Sequence, residues 1–397
     1  MLLRLAITAR SPLAFARSKP GTQFRASLPY VPGGALFGAL GRLLLEEDQR
    51  GEAGRALLRA ARCWNAYPAW TDDAWARPLP ATARRPRGGG PLRDTLVDLV
   101  CWEQLEPAAF LPNGAELAAT SGFYTLAESG ADPSGRAVLG LRRVGQRVLT
   151  RVAINRRRGT AEDGRLYSPL VLSEYTHEKR GATDRPTRFL GAAWLPADLA
   201  DPAALIARVD ALGGRQSSGL GAVSVEATPQ PDSDAAGVGA RVVALTRRFQ
   251  ERASLFQGLT PRTTWSIAER SLFTVNLLAD AVLFEEGWLP TNLLSPAALH
   301  ELTGINARLV RAVAAPVEVS GWNVFWQRPK PAVLGTAMGG VYLFEADEPL
   351  SDADCAALAA LERDGIGERR QEGYGQVRIC DELHWAAFDE EMPYDHP

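Results

Sequence analysis

The alternation of apolar and polar residues in the first part of the chain predicts a strand followed by a helix. Residues 2–8 alternate like a half-buried strand, and residues 34–45 carry apolar side chains at helical spacing after the turn-forming pair Pro32-Gly33. Farther along, the pattern predicts a strand at 188–195, a helix at 202–212, a glycine-rich loop and a strand at 222–226. With the strand at 143–154 described below and the strand at 188–195 as the two inner strands, these elements predict a ferredoxin-like βαββαβ unit that carries a large insertion.

One segment combines β-branched residues with arginines. Between residues 143 and 154 the β-branched residues Val144, Val148, Val152 and Ile154 share one parity, while Arg143, Arg147 and Arg151 share the other. In a strand this places an apolar face opposite a row of guanidinium groups. The same arginines are four positions apart and would also line one face of a helix, but the β-branched content and Gly145 favour the strand.

The second half of the chain repeats the scheme. It predicts a strand at 272–283, a helix at 296–314, strands at 317–326 and 340–344, a helix at 352–363, and a glycine-rich loop before a strand at 376–379. A shift of 154 positions aligns the two glycine-rich loops with six identities in fourteen positions, among them Gly213/Gly367 and Arg215/Arg369. We therefore expect an internal duplication and two α+β domains.

Composition between these units indicates the domain boundaries. Residues 63–91 are rich in Trp, Pro and Gly and predict an inserted loop region, and residues 232–239 predict a polar linker. The predicted domains are residues 1–231, with an insertion at about 60–135 and a basic hairpin at about 136–187, and residues 240–397.

Composition and charge favour a soluble cytoplasmic protein. The chain has 397 residues, of which 46% are hydrophobic and 23% are charged, and its longest apolar run is interrupted by Arg42. Arg4 and Arg10 interrupt the N-terminal apolar segment, which favours a first strand over a signal peptide. Four scattered cysteines predict neither disulfides nor a zinc site. The net charge is −2, but residues 134–161 hold eight arginines and no acid, which predicts a local basic surface.

The glycine-rich loops and the arginines are the candidate binding groups. Glycine lets the backbone approach a phosphate closely, and arginine binds phosphate with two parallel hydrogen bonds. Neither loop has the Lys-Ser or Lys-Thr of a nucleotide-hydrolysing loop, and no cofactor or metal is predicted. The candidate RNA-binding residues are Arg143, Arg147, Arg151, Arg156, Arg157, Arg158, Gly213, Gly214, Arg215, Gly219, Gly221, Gly367, Arg369, Arg370, Gly373, Tyr374 and Gly375.

Candidate catalytic groups are few. His177 lies beside the basic segment and is a candidate general base for RNA cleavage, with Lys179 or Arg180 as its partner. A solvated loop histidine is the alternative interpretation. His384 and His396 lie in an acidic tail without a recognised metal-binding spacing. The sequence therefore predicts no catalytic residue.

Three segments resemble a known family. YVPGGALFGALGRLLL (residues 30–45), RVAINRRRGTAEDGRLYSPLVLSE (151–174) and GIGERRQEGYGQV (365–377) resemble the RAMP superfamily of CRISPR-associated proteins, whose domains are ferredoxin-like and RRM-related. The segment CWNAYPAWTDDAWARPLPATARRP (63–86) resembles the Csx-ten subunits of type III-D effector complexes, which are relatives of subunits that cap the crRNA 5′ end.

The resemblance implies a function and partners. It implies a crRNA-binding subunit that holds the 5′ handle of the guide RNA, with a β-hairpin thumb, beside a large polymerase-like signalling subunit and RAMP backbone subunits. RNA-cutting members of the superfamily carry an aspartate just before the Pro-Tyr segment, where this chain has Phe24, Arg25, Ala26 and Ser27. Target-RNA cleavage is therefore not expected. A repeat-processing endoribonuclease that uses His177, and a purely structural assembly subunit, remain the alternatives.

Overall fold

The computed structural model describes residues 1–15, 24–25, 27–46, 51–70, 75–105, 117–128, 137–155, 158, 160–176, 185–196, 199, 201–257, 270–323 and 328–390. In these residues the protein is a mixed α+β structure with several small sheets. No helix in this part of the chain is long and apolar enough to cross a membrane.

Seven helices lie in the described residues, and local signals define several of their ends. Asp201, Ser295 and Ser351 each accept a backbone N–H of the helix that follows, and Gly304 ends one helix with φ 77°. The helices are α1 (Gly33–Glu46), α2 (Glu52–Ala60), α3 (Leu96–Leu105), α4 (Pro202–Ala207), α5 (Ala235–Gln257), α6 (Pro296–Thr303) and α7 (Asp352–Asp364).

The strands are mostly short. In the first half they are β1 (Leu2–Ala9), β2 (Phe24–Arg25), β3 (Arg62–Cys63), β4 (Tyr67–Ala69), β5 (Arg77–Pro78), β6 (Ala83–Pro86), β7 (Arg93–Asp94), β8 (Leu117–Ala119), β9 (Phe123–Glu128), β10 (Ala137–Arg142), β11 (Gln146–Val148), β12 (Arg151–Asn155), β13 (Thr160–Leu172), β14 (Tyr175–Thr176), β15 (Arg185–Pro186), β16 (Arg188–Trp194) and β17 (Val223–Gln230). In the second half they are β18 (Leu272–Leu277), β19 (Leu283–Glu285), β20 (Leu289–Thr291), β21 (Ala307–Val313), β22 (Pro316–Asn323), β23 (Arg328–Thr336), β24 (Val341–Ala346), β25 (Val377–Ile379) and β26 (Phe388–Glu390).

The first sheet has the order β17-β1-β16-β3, and β4 also pairs with β16. Its neighbours are antiparallel, with Leu5 opposite Gly191 of β16 and Ala227 of β17. The alternate residues Leu3, Leu5 and Ile7 are fully buried, and α1 and α4 add apolar side chains to the same core. The expected alternation of the first strand is confirmed.

The second sheet has the order β21-β24-β18-β25, and its neighbours are also antiparallel. If the four sheet strands of each half are numbered separately along the chain, both sheets have the same order. In each sheet the fourth strand pairs with the first, the first also pairs with the third, and the third also pairs with the second. Helices α5, α6 and α7 pack on the second sheet, and α3 from the predicted insertion contributes Leu96, Val97 and Val100 to the same core.

Each half also carries a β-hairpin between its second and third strands. The first hairpin consists of β11 and β12 paired with β13, and the second hairpin consists of β22 paired with β23. Each hairpin forms a β-bridge with the segment that follows the first strand of its half. Leu172 of the first hairpin pairs with Leu13, and Thr336 of the second hairpin pairs with Ala281. The first hairpin was expected from the sequence, whereas the second was not.

The structure corrects several expected elements of the first half. The basic segment is not an inner strand of the first sheet, because among the described residues β11 and β12 pair with β13 and with no strand of that sheet. The inner partner of β16 comes instead from the segment predicted to be an inserted loop, through β3 and β4. The two pieces are short and interrupted, and therefore carry no alternation long enough to detect.

Other corrections concern the second half. The predicted helix at 296–314 ends at Thr303 because Gly304 takes a left-handed conformation, and β21 follows. The predicted linker at 232–239 contains the start of α5, which buries Val238, Val242 and Leu245 at helical spacing. The strand expected at 272–283 ends at Leu277.

Candidate nucleic-acid interface

The first glycine loop (residues 213–221) and the second glycine loop (residues 367–375) have the same backbone conformation. Arg215 and Arg369 both lie in the left-handed region, with φ of 62° and 57°, and each precedes one turn of 3-10 helix. Those turns end at Gly219 and Gly373, with φ of 76° and 87°. Residues 154 positions apart therefore occupy equivalent places, as the alignment of the two loops predicts.

Both loops bond to the segment that follows the first strand of their own half. Gly221 N–H donates to Pro12 O at 2.9 Å, and Gly375 N–H donates to Asp280 O at 2.9 Å. The same contacts therefore hold each loop beside its sheet.

Gly213 and Gly367 have a packing role where each loop approaches the segment after the first strand. A Cβ at Gly213 would lie 2.6 Å from Ala14 O, and one at Gly367 would lie 2.2 Å from Val282 O. No side chain fits at either position, so these two glycines are required for loop closure whether or not a ligand binds.

The surroundings of the two loops differ. In the first loop Gly214 and residues 216–219 are exposed, and a Cβ at Gly219 would meet nothing within 4 Å. In the second loop Gly373 is buried, and a Cβ there would lie 2.6 Å from Cys63 O. The first loop is open to solvent, whereas the second is packed against the other half of the chain.

The second loop contacts the N-terminus of α1. Gly33 N–H donates to the side-chain oxygen of Asn65 at 2.8 Å, and a Cβ at Gly33 would lie 2.9 Å from Glu372 O. Lys330 of the second hairpin donates to Glu372 Oε1 at 2.6 Å. Loop, helix and hairpin thus form one buried junction between the two halves.

The first hairpin reaches the first glycine loop. Arg151 Nη1–H donates to Ser218 O at 2.6 Å, although the two residues are 67 positions apart. Two features that were predicted separately, the basic segment and the first loop, are therefore neighbours. The open face of the first loop and the arginines of the first hairpin constitute the candidate interface.

The arginines of the first hairpin differ in their surroundings. Arg147 Nη2 donates to both carboxylate oxygens of Glu174, at 2.6 and 2.7 Å, which offsets its charge. Arg143 and Arg158 are exposed, whereas Arg215 of the first loop is half-buried. Arg156 and Arg157 lie outside the described residues.

The predicted residues of the second loop are only partly accessible. Arg369, Arg370 and Tyr374 are half-buried, whereas Gly373 and Gly375 are buried. Arg369 Nη2–H donates to Pro331 O of the second hairpin at 3.3 Å. The side chains of this loop, rather than its glycine backbone, are the groups that a ligand can reach.

His384 has structural surroundings. His384 is buried, and its Nδ1–H donates to Asp94 Oδ2 at 3.0 Å. Burial lowers the pKa of His384, but the charge of Asp94 and its hydrogen bond outweigh that effect and raise the pKa above its ordinary value. His177 lies outside the described residues, and within those residues no three potential ligands converge on a metal site.

Sequence reasoning missed some basic groups beside the loops. Arg62 of β3 and Lys330 of the second hairpin both lie next to the second loop. Arg62 stands in a segment that was predicted to be a loop and carries no recognisable signal. The second hairpin was missed because Pro329 and Pro331 break the strand pattern of β23.

Part of the chain matches a known family. Residues 230–381 match the family described as CRISPR-associated protein (Cas_Cmr3). The match is shorter than half of the chain, and it contains the second sheet, the second hairpin and the second glycine loop. A comparison with curated proteins finds no match.

Solved structures give distant likenesses. A chain of the type III-B Cmr-beta complex bound to cognate target RNA and AMPPnP is 12% identical, with 86% of each chain covered and a TM-score of 0.42. A chain of the Csm3-Csm4 subcomplex of the type III-A CRISPR-Cas interference complex is 11% identical, with 88% of this chain and 95% of that chain covered and a TM-score of 0.34. These TM-scores are too low to carry an argument about function.

Proposed function

We propose that the protein is a non-catalytic crRNA-binding subunit of a type III CRISPR effector complex. In this proposal it holds the 5′ handle of the guide RNA, beside a large polymerase-like signalling subunit and neighbouring RAMP backbone subunits. The resemblance of residues 63–86 to the Csx-ten subunits favours a type III-D complex.

One observation carries the RNA-binding part of the proposal. The contact between Arg151 and Ser218 joins a basic hairpin to an exposed glycine loop. A single strand of RNA offers two kinds of group. Its phosphates bind arginine side chains and accessible backbone N–H groups, and its bases stack on aromatic rings. The exposed Arg143 and the open backbone at Gly219 supply the first kind of contact.

The family match and the strand orders support the class of protein. The match of residues 230–381 to a CRISPR-associated family favours an effector subunit over an unrelated RNA-binding protein. Each sheet has the succession of strands and helices of a ferredoxin-like βαββαβ unit, so we propose two such units. The first carries an insertion, and each carries a hairpin between its second and third strands.

The absence of catalysis is part of the proposal. Residues 24–27 stand where cutting members of the superfamily carry an acid, and none of the four is acidic. The hydroxyl of Ser27 accepts the Phe15 N–H at 2.9 Å. A neutral serine hydroxyl is too weak a base to replace a carboxylate as a general base. Site-specific cleavage of repeat RNA that disappears in His177→Ala would favour the endoribonuclease alternative.

Sequencing the RNA that co-purifies with the protein tests the proposal directly. The protein is expressed with a CRISPR array, and the 5′ ends of the retained RNA are determined. The proposal predicts one fixed, repeat-derived 5′ sequence. Retention of no RNA would support the assembly alternative, and random 5′ ends would contradict handle recognition.

The salt dependence of RNA binding locates the interface. For single-stranded RNA, each neutralised phosphate contributes about −0.7 to the slope of log K against log salt. Replacing Arg143 and Arg151 with Gln should therefore flatten the slope by roughly 1.4, whereas Arg87→Gln, an exposed arginine beyond β6, serves as the control. An unchanged slope in the double variant would remove the first hairpin from the interface.

A further inference from the structure

Two arginines from different halves of the chain meet where the second glycine loop contacts β3. Arg62 directly precedes Cys63, whose carbonyl oxygen would lie 2.6 Å from a Cβ at Gly373. Arg370 begins the 3-10 turn that ends at Gly373, and that turn contacts both β3 and α2. The fold therefore brings two positive charges together at the junction of the two halves.

Arg62 is oriented by the end of one helix, and Arg370 lies beside the end of another. Arg62 Nη1–H donates to the carbonyl oxygens of Arg59, Ala60 and Ala61, at 3.0, 2.8 and 3.0 Å, at the C-terminus of α2. The side chain of Arg370 passes over Gly365, just after α7, with its Cδ 3.8 Å from a Cβ built there. Helix C-termini favour cations, so both positions suit a positive charge.

The two charges are not fully compensated. Burial lowers the pKa of Arg62, and the charge of Arg370 lowers it further, whereas Asp364 raises it. The carboxylate of Asp364 is already held by Arg363 through two contacts of 3.0 Å. Arg62 Nε is buried, and within the described part of the chain it has no hydrogen-bond partner. Two neighbouring cations whose nearest carboxylate is already engaged are a favourable place for an anion.

We infer that Arg62 and Arg370 form a binding site for a phosphate group at the junction of the two halves. Guanidinium groups bind phosphate oxygens with strong, directional hydrogen bonds, and a bound dianion removes the repulsion between the two arginines. The phosphate group belongs either to RNA or to a small phosphorylated molecule. Only the assignment to RNA rests on the proposed function.

Thermal unfolding of the full chain in inorganic phosphate tests the site. Ionic strength is held constant with chloride, and Arg370→Gln is compared with Arg55→Gln, an exposed arginine of α2. Phosphate should raise the melting temperature of the parent protein and of Arg55→Gln, because a ligand that binds only the folded state stabilises it. Arg370→Gln should lose most of that rise.

Melting without phosphate separates a binding role from a structural one. Arg370→Gln relieves the repulsion, so without phosphate it should melt at the parental temperature or above it. If Arg370 only stabilises the C-terminus of α7, Arg370→Gln melts at a lower temperature and still responds to phosphate. That result overturns the proposal. Arg62→Gln adds a second test, because any folded form of that variant should also respond weakly to phosphate.

A final comparison identifies the source of the phosphate. Single-stranded RNA with the repeat-derived 5′ end is titrated against Arg370→Gln. An RNA phosphate at this site predicts about tenfold weaker binding and a salt slope flatter by about 0.7. Unchanged RNA binding together with a lost phosphate response supports a small phosphorylated ligand. If the parent protein responds to phosphate but binds no RNA, the proposed function fails and this site stands.

Discussion

The two glycine loops share a backbone and differ in what covers them. Both have a left-handed arginine, a single 3-10 turn and the same bond to the segment after the first strand. In the first loop the open side faces solvent, and in the second the same side faces Cys63 and the N-terminus of α1. The comparison shows that one local structure serves as an exposed surface in one half and as a junction in the other.

The comparison also separates two reasons for glycine. Gly213 and Gly367 allow the loop to approach its own sheet, and that requirement is the same in both halves. Gly219 and Gly373 differ, because only Gly373 is in contact with another part of the chain. A glycine-rich loop is therefore evidence of close backbone approach first, and of phosphate binding only where the loop is open.

Alanine at the matched glycines should give the largest difference between the loops. Gly373→Ala places a Cβ 2.6 Å from Cys63 O at a φ of 87°, and should cost about 4 kcal/mol from overpacking and backbone strain together. Gly219→Ala has a similar φ of 76° but open space, and should cost about 1 kcal/mol. The free energies of unfolding from urea titrations measure both. Equal costs would mean that the second loop is not packed against β3.

A smaller loss of stability is expected at Asn65, whose side-chain oxygen accepts the N–H of Gly33 at the start of α1. Asn65→Ala leaves the Gly33 N–H buried without its acceptor and should cost about 2 kcal/mol. Its counterpart is Gln216→Ala in the first loop, which removes an exposed hydrogen bond to Gly213 O and should change stability by less than about 0.5 kcal/mol. Urea titrations measure this pair also, and a neutral Asn65→Ala would contradict the junction.

Acid should weaken the half that carries the second loop. Burial raises the pKa of Glu382, but Arg77 and Arg378 outweigh it and hold the pKa of that carboxyl well below its ordinary value of 4.5. The stability that Glu382 contributes is therefore present above pH 4.5 and is lost as the pH falls below it. Melting temperatures measured across this range should fall less steeply in Glu382→Gln. Parallel curves for the two proteins would exclude this network as a source of acid sensitivity.

The smallest effect on stability is expected at the contact between the first hairpin and the first loop. Arg151→Gln removes one exposed hydrogen bond to Ser218 O and should change the free energy of unfolding by less than about 0.5 kcal/mol. The same variant should still weaken RNA binding, because its positive charge is lost. A large loss of stability would show that this contact is structural, as in the second loop.

Local patterns predicted the elements that depend on local signals. Helices α1 and α7 and strands β1 and β16 were predicted closely, because their apolar spacing and their turns are encoded within each segment. Helix α5 was missed because Gly237 and Gly239 lie in its first turns and suggested a linker. The pairing of β3 and β4 with β16 joins segments more than 100 residues apart, and short strands give no periodic signal.

The candidate interface was predicted in part for the same reason. The arginines and glycines were visible in the sequence, and so was the equivalence of the two loops. The packing of Gly373 against Cys63 was not, because it depends on how the two halves pack together. The contact of β3, which carries Arg62, with the 3-10 turn that begins at Arg370 has the same origin and no local signature.

Amide hydrogen exchange of the two loops, with and without guide RNA, tests the central claim most directly. In the free protein, the amides of Gly373 and Gly375 in the second loop should exchange slowly and those at 216–219 of the first loop quickly, because the former are buried and the latter are exposed. Guide RNA should slow exchange at 216–219 and leave the second loop unchanged, since any contact there is made by the Arg370 side chain. Slow exchange that appears in the second loop only on RNA binding, with no change in the first loop, would contradict the account.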